Sequence, residues 1–199
     1  PRENTLGLKA ITGKGDEIHT GVATSKGVMG YDLTRLLIGS EGTLAIITEA
    51  TLKLTPLAET KQTLRATYRD MLSAAQAVSA IMAQPVTPSA LEFMDGTAID
   101  LIRDFPGLGL AHDVRAMLMI EVDGPKHCIN ESTGAVATAA HNSGLIDLQM
   151  AKTDSEIEQL WKARQSLSPA LRRIAPKKIN EDVVVPVSQI PPLITGLEQ

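Results

Sequence analysis

Aromatic rings are nearly missing from this chain: one Trp, two Tyr and two Phe make up 3% of its 199 residues. Basic residues are also short, with 19 Lys and Arg against 23 Asp and Glu, for a formal charge of −4. A chain with few stacking rings and no basic excess lacks the usual means of holding nucleic acid, and that class is set aside. The single cysteine, Cys128, cannot close an internal disulfide and fits a reducing compartment. No apolar run approaches the roughly 18 residues of a membrane span. The opening PRENTLG has none of the charged and apolar regions of a signal peptide, so a cytoplasmic location is expected. The four histidines, His19, His112, His127 and His141, lack metal-ligand spacing, and no serine sits in a nucleophile elbow.

Apolar residues are plentiful at 43%, enough for one or two packed domains. The chain is organised around Gly39-Ser-Glu-Gly-Thr-Leu-Ala-Ile-Ile-Thr48. Before it, Asp32 is placed to cap a short helix from Leu33 to Ile38, with Leu33, Leu36 and Leu37 on one face and Gly39 as a left-handed stop. After it a strand is expected. Its Thr43 to Ile47 part is apolar or small on both faces and its Glu49 to Leu54 part alternates, so it should run from a buried region to a half-exposed one before Pro56. Gly39 and Gly42 have two readings: a connection that needs positive φ, or a backbone bare enough for a flat or anionic ligand to reach peptide N–H groups. Upstream, Leu6 to Thr12 and Glu17 to Gly21 read as a hairpin about Gly13 to Asp16, and Lys26-Gly27 and Met29-Gly30 as loop.

After Pro56 the pattern changes. Thr60 to Tyr68 alternates as in an edge or sheet-face strand, and Asp70 caps an alanine-rich helix to about Ala83. Strand Ser89 to Met94, helix Gly96 to Phe105, strand Val114 to Val122, helix Pro125 to Ser143 and strand Leu145 to Met150 follow. Strand, helix, strand, repeated with one inserted helix, predicts an α+β unit of the ferredoxin-like split βαβ type, with helices on one face of an antiparallel sheet. A further helix should run from Asp154 to about Arg173, kinked or divided at Pro169. INEDVVVPV then reads as a strand, with a last helix beginning near Ser188. Arg164, taken alone, is an ordinary solvated helix residue.

The run YDLTRLLIGSEGTLAIITEATLKLTP, Tyr31 to Pro56, resembles the end of the FAD-binding domain of the FAD-linked oxidases of 2-hydroxy acids. That family includes the flavin subunit of bacterial glycolate oxidase and the FAD-dependent D-lactate and D-2-hydroxyglutarate dehydrogenases. The resemblance implies residues 1–57 as the C-terminal portion of a PCMH-type FAD-binding domain and 58–199 as an incomplete substrate, or cap, domain. It further implies that Glu41, Gly42, Thr43, Leu44, Ala45, Ile46 and Ile47 lie along FAD through their main chain. The family usually has glycine at Ala45, whose methyl is expected to crowd the cofactor slightly.

In the family a tryptophan followed three residues later by arginine is a recurrent signature. Trp161 and Arg164 match it, which implies that Arg164 grips the substrate carboxylate, with Ser168 a small hydroxyl one turn on. Counting back from Pro186, a basic position of some relatives falls on Asn180, which can donate a hydrogen bond but brings no charge. The resemblance therefore implies oxidation of glycolate or D-lactate to the 2-oxo acid, with an iron–sulfur subunit, a second flavin-type subunit or a quinone taking the electrons. Through such subunits the protein could also sit at the inner membrane. The chain reads as an internal fragment, inactive alone, with the catalytic base outside it. Two alternatives stand beside this reading: a non-catalytic assembly module, and a flavin oxidase of a different hydroxy acid.

Overall fold

The computed structural model describes residues 2–22, 24, 27, 30–175, 177, 179 and 182–197. The chain divides into two compact units, Pro1–Leu57 and Ala58–Gln199.

In the first unit a short 3-10 turn leads into β1 (Thr5–Thr12), β2 (Glu17–Gly21), α1 (Leu33–Leu37) and β3 (Ala45–Leu52). The sheet order is β2-β1-β3, with both pairings antiparallel. Asp32 caps α1 as expected, accepting from the Arg35 N–H at 2.9 Å. The buried side of α1, however, is Thr34 and Leu37, while Leu33 and Leu36 are exposed. Five residues make little more than one turn, so only the side turned to β1 and β2 finds cover. The small core is Leu8, Ala10, Leu37 and Ala45. The expectation of a buried start to β3 fails, since Ala45 alone is buried and Ile46 is 67% exposed. β3 is an edge strand, and among the described residues no layer covers its outer face.

The Asp32 carboxyl is held below the ordinary aspartate range, first by the Arg35 backbone N–H and then by its guanidinium. A depressed folded pKa means the cap is fully present above the ordinary aspartate value and is lost as pH falls through the lower, folded one. An NMR acid titration of the Arg35 amide is expected to report that loss, with Asp32→Asn flattening the curve.

The second unit contains β4 (Thr60–Tyr68), α2 (Met71–Ala83), β5 (Ala90–Asp95), α3 (Gly96–Ile102), β6 (Ala116–Gly124), α4 (Ile129–Ala140), β7 (Leu145–Met150), α5 (Asp154–Ile174) and α6 (Ile190–Leu197). The sheet order is β5-β6-β4-β7, antiparallel throughout. Asp70 caps α2, accepting from the Ser73 N–H at 2.6 Å. One face of the sheet, with Leu64, Ala66, Leu118, Ile120 and Val122, packs on α2 and α4. There Tyr68, fully buried, donates to the Ala140 carbonyl at 2.8 Å, and burial raises its phenol pKa.

The opposite face is also covered, which corrects the expectation of helices on one side only. Met94, Met117 and Met119 meet Ile99 and Ile102 of α3 and Leu160, Ala163 and Leu167 of α5. β4 is consequently a central strand rather than an edge or half-exposed one, and its polar row of Thr63, Arg65 and Thr67 is buried.

Several boundaries move. α3 stops at Ile102, where Phe105 turns back to donate its N–H to the Ile102 carbonyl. β6 begins two residues later than its apolar run suggests, because Val114 is held in a turn with Ala111. α4 starts only at Ile129. Pro169 does not divide α5: it stands on an exposed side, and the one backbone bond it removes is outweighed by the burial of Leu160, Ala163 and Leu167 around it. Residues 182–186 of the expected INEDVVVPV strand are not a strand. Lys26, Met29, Lys178, Asn180 and Glu181 lie outside the described residues.

Candidate functional site

Two places carry side chains or backbone that the folds leave available. In the first unit it is the turn between α1 and β3. Gly39 and Gly42 take φ of 88° and 78°, and Glu41 between them takes 51°, a left-handed conformation uncommon outside glycine. The Thr43 N–H and hydroxyl both donate to the Ser40 carbonyl, at 2.9 and 2.6 Å, and lock the turn. Glu41, Gly42, Thr43 and Leu44 are exposed, and a Cβ added at Gly42 would meet nothing within 4 Å. The glycines thus serve the connection and leave it bare at once. Ile46 and Ile47 continue along the outer edge of the sheet. Ala45 is buried, its methyl in the core with Leu8, Ala10 and Leu37. From Glu41 to Leu44 the main chain is thus reachable from solvent, with Ala45 alone turned into the core.

In the second unit the site is built on α5. Thr153 caps it, accepting from the Glu156 N–H at 3.2 Å. Leu160, Ala163 and Leu167 form its buried line. Trp161, Arg164 and Ser168, at the same helical spacing, form the next line round, and all three are half-buried. Arg164 projects over the rim of the sheet, where its Nε donates to Glu92 Oε2 of β5 at 2.9 Å. The two side chains keep 40% and 37% of their exposure. Among the described residues the Arg164 Nη groups and the Ser168 hydroxyl have no partner. Asn180 lies outside the described residues.

Nothing in the sequence pointed to Glu92 or Arg65. Arg65, 8% exposed, donates to the Leu108 carbonyl and, at 2.7 Å, to Gln149 Oε1, and lines a cleft of about 1060 Å³ with Lys61, Lys152 and Glu156. Burial lowers its pKa, and the nearby Asp147 opposes that. With two of its donors spent on the 107–109 loop and on β7, Arg65 acts as a brace. No group of His, Cys, Asp and Glu among the described residues could hold a metal ion.

Residues 57–199 match the family model of FAD linked oxidases, C-terminal domain. The chain belongs to that family. It is 40% identical over 196 residues to the glycolate oxidase subunit GlcD of Bacillus subtilis (strain 168), covering 98% of this chain and 42% of that protein. It is 32% identical over 198 residues to a probable mitochondrial D-lactate dehydrogenase of Danio rerio, covering 97% of this chain and 39% of the relative. The chain therefore spans about two fifths of the length of these relatives. Among solved structures, an alkyldihydroxyacetonephosphate synthase superposes with a TM-score of 0.64 at 18% identity, over 86% of this chain and 34% of that one. At that identity the likeness shows the fold and nothing more.

Proposed function

We propose that this chain is part of a flavoprotein that oxidises a small 2-hydroxy acid, glycolate or D-lactate, to the 2-oxo acid. The observation that carries this reading is Arg164: a guanidinium on a well-anchored helix, half-exposed, with its Nη end unengaged among the described residues. A planar fork presenting two parallel N–H groups suits a single carboxylate. The relatives' names, a glycolate oxidase subunit and a D-lactate dehydrogenase, point to the same substrate class.

In this reading residues 1–57 are the C-terminal portion of a PCMH-type FAD-binding domain, and 58–199 a cap domain with a ferredoxin-like split βαβ at its centre. The sheet order β5-β6-β4-β7, with α2 and α4 on one face, supports that description. The turn and edge from Glu41 to Ile47 seat the flavin by main-chain contact. FAD, when bound, supplies the hydride acceptor for the carbinol carbon. Arg164 orients the acid by its carboxylate, Ser168 offers a hydroxyl beside it, and Asn180 takes the place of a basic residue found in some relatives. Electrons leave through a second flavin-type or an iron–sulfur subunit of a cytoplasmic assembly, or one docked at the inner membrane. No helix among the described residues is long and apolar enough to cross a membrane.

The bare edge of β3, with Leu44, Ile46 and Leu52 exposed, favours a second reading, a non-catalytic assembly module. One experiment separates the two. The full-length protein containing this chain is purified, its visible spectrum is recorded without oxygen, and glycolate, D-lactate and D-2-hydroxyglutarate are added in turn. Bleaching of an oxidised flavin band by glycolate or D-lactate is the expected result. Bleaching by D-2-hydroxyglutarate alone replaces the substrate, and a protein that stays colourless with added FAD leaves the assembly module.

A further inference from the structure

The pairing of Arg164 with Glu92 has a geometry that an ordinary surface ion pair does not need. Glu92 lies opposite Met119 in the β5–β6 register, and Met119 belongs to the face covered by α5, so Glu92 points towards that helix. Because β5 is the edge strand, Glu92 stands at the rim, where water still reaches the pair. Its contact is made to Nε alone, at the root of the guanidinium. The Nη pair at the far end is left open.

We propose that Glu92 is a positioning residue: it pins the plane of the Arg164 guanidinium through Nε so that the Nη end faces the substrate carboxylate. This rests on the reading of Arg164 as the carboxylate-binding residue. A free arginine samples many rotamers and must be ordered when its ligand binds. Glu92 supplies that order beforehand. Its carboxylate sits on the side away from the open end, which limits its repulsion of a bound acid. Only an acceptor is required at this place, so the amide oxygen of glutamine would serve where a methyl group would not.

Two measurements test this. In the chain itself, NMR is expected to show a slowly exchanging Arg164 Nε–H, kept in Glu92→Gln and lost in Glu92→Ala. In the full-length flavin-loaded protein, calorimetry with oxalate, a carboxylate with no hydrogen to give up, is expected to show binding weakened about tenfold by Glu92→Ala and largely preserved by Glu92→Gln. A Nε–H that exchanges just as slowly in Glu92→Ala, or equal losses of oxalate affinity in both variants, overturns the inference. Arg164→Ala is measured alongside. Unchanged oxalate affinity there sinks the carboxylate role itself, whereas weakened binding in Arg164→Ala with none in Glu92→Ala sinks only the positioning role.

Discussion

Arg164→Ala in the full-length protein is expected to lower kcat/KM for the 2-hydroxy acid about a hundredfold, or about 3 kcal/mol, carried largely by KM. The same change should scarcely touch folding. Arg164 and Glu92 are each more than a third exposed, and such pairs contribute at most about 1 kcal/mol to stability. The two magnitudes separate the roles: steady-state kinetics should show the loss, and a thermal melt should show almost none. Arg164→Lys should fall between, since it keeps the charge and loses the fork. A wild-type KM in Arg164→Ala would remove the residue from the substrate site.

Leu118→Ala is expected to destabilise the second unit by about 3 kcal/mol. Leu118 is fully buried on β6, with β4 and β5 on either side and the α2 and α4 layer over it. Those neighbours are held by their own strands and helices and cannot collapse far into the space left behind. The single tryptophan of the chain, Trp161, packs against the other core of the same unit. Its fluorescence therefore follows the unfolding of the second unit in denaturant without a contribution from the first. A midpoint unmoved by the substitution would mean that this layer is looser than its burial indicates.

The contrast between these residues shows what could be read from the chain beforehand. β6 is visible as an apolar run, and Leu118 as core, because a strand covered on both faces needs no alternation. In β4 the same physics works in reverse. Thr63, Arg65 and Thr67 alternate with apolar residues as a solvated face would, yet they lie on the face where Met117 and Met119 meet α5, a helix supplied by residues nearly a hundred positions later. Local periodicity carries no record of what a distant helix will cover. Arg65 is tolerated there only because Leu108 and Gln149 accept from it. Likewise the half-buried line of Trp161, Arg164 and Ser168 follows from helical spacing, but Glu92 meets Arg164 only through the sheet order, which no motif announces. In the turn at Gly39 the left-handed glycines were legible. That Ala45 would turn inward was not, since strand polarity depends on where the ladder with β1 begins.

Among the described residues, growth of the first sheet has no stop on the β3 side. Edge strands are usually protected by proline, by inward charge or by a covering element. β3 has no proline, its one charged residue, Glu49, is already paired with Lys9 at 2.9 Å, and Ile46, Ile47 and Leu52 are uncovered. An element docked on this strand would therefore do two jobs, since it would also guard the protein against self-association.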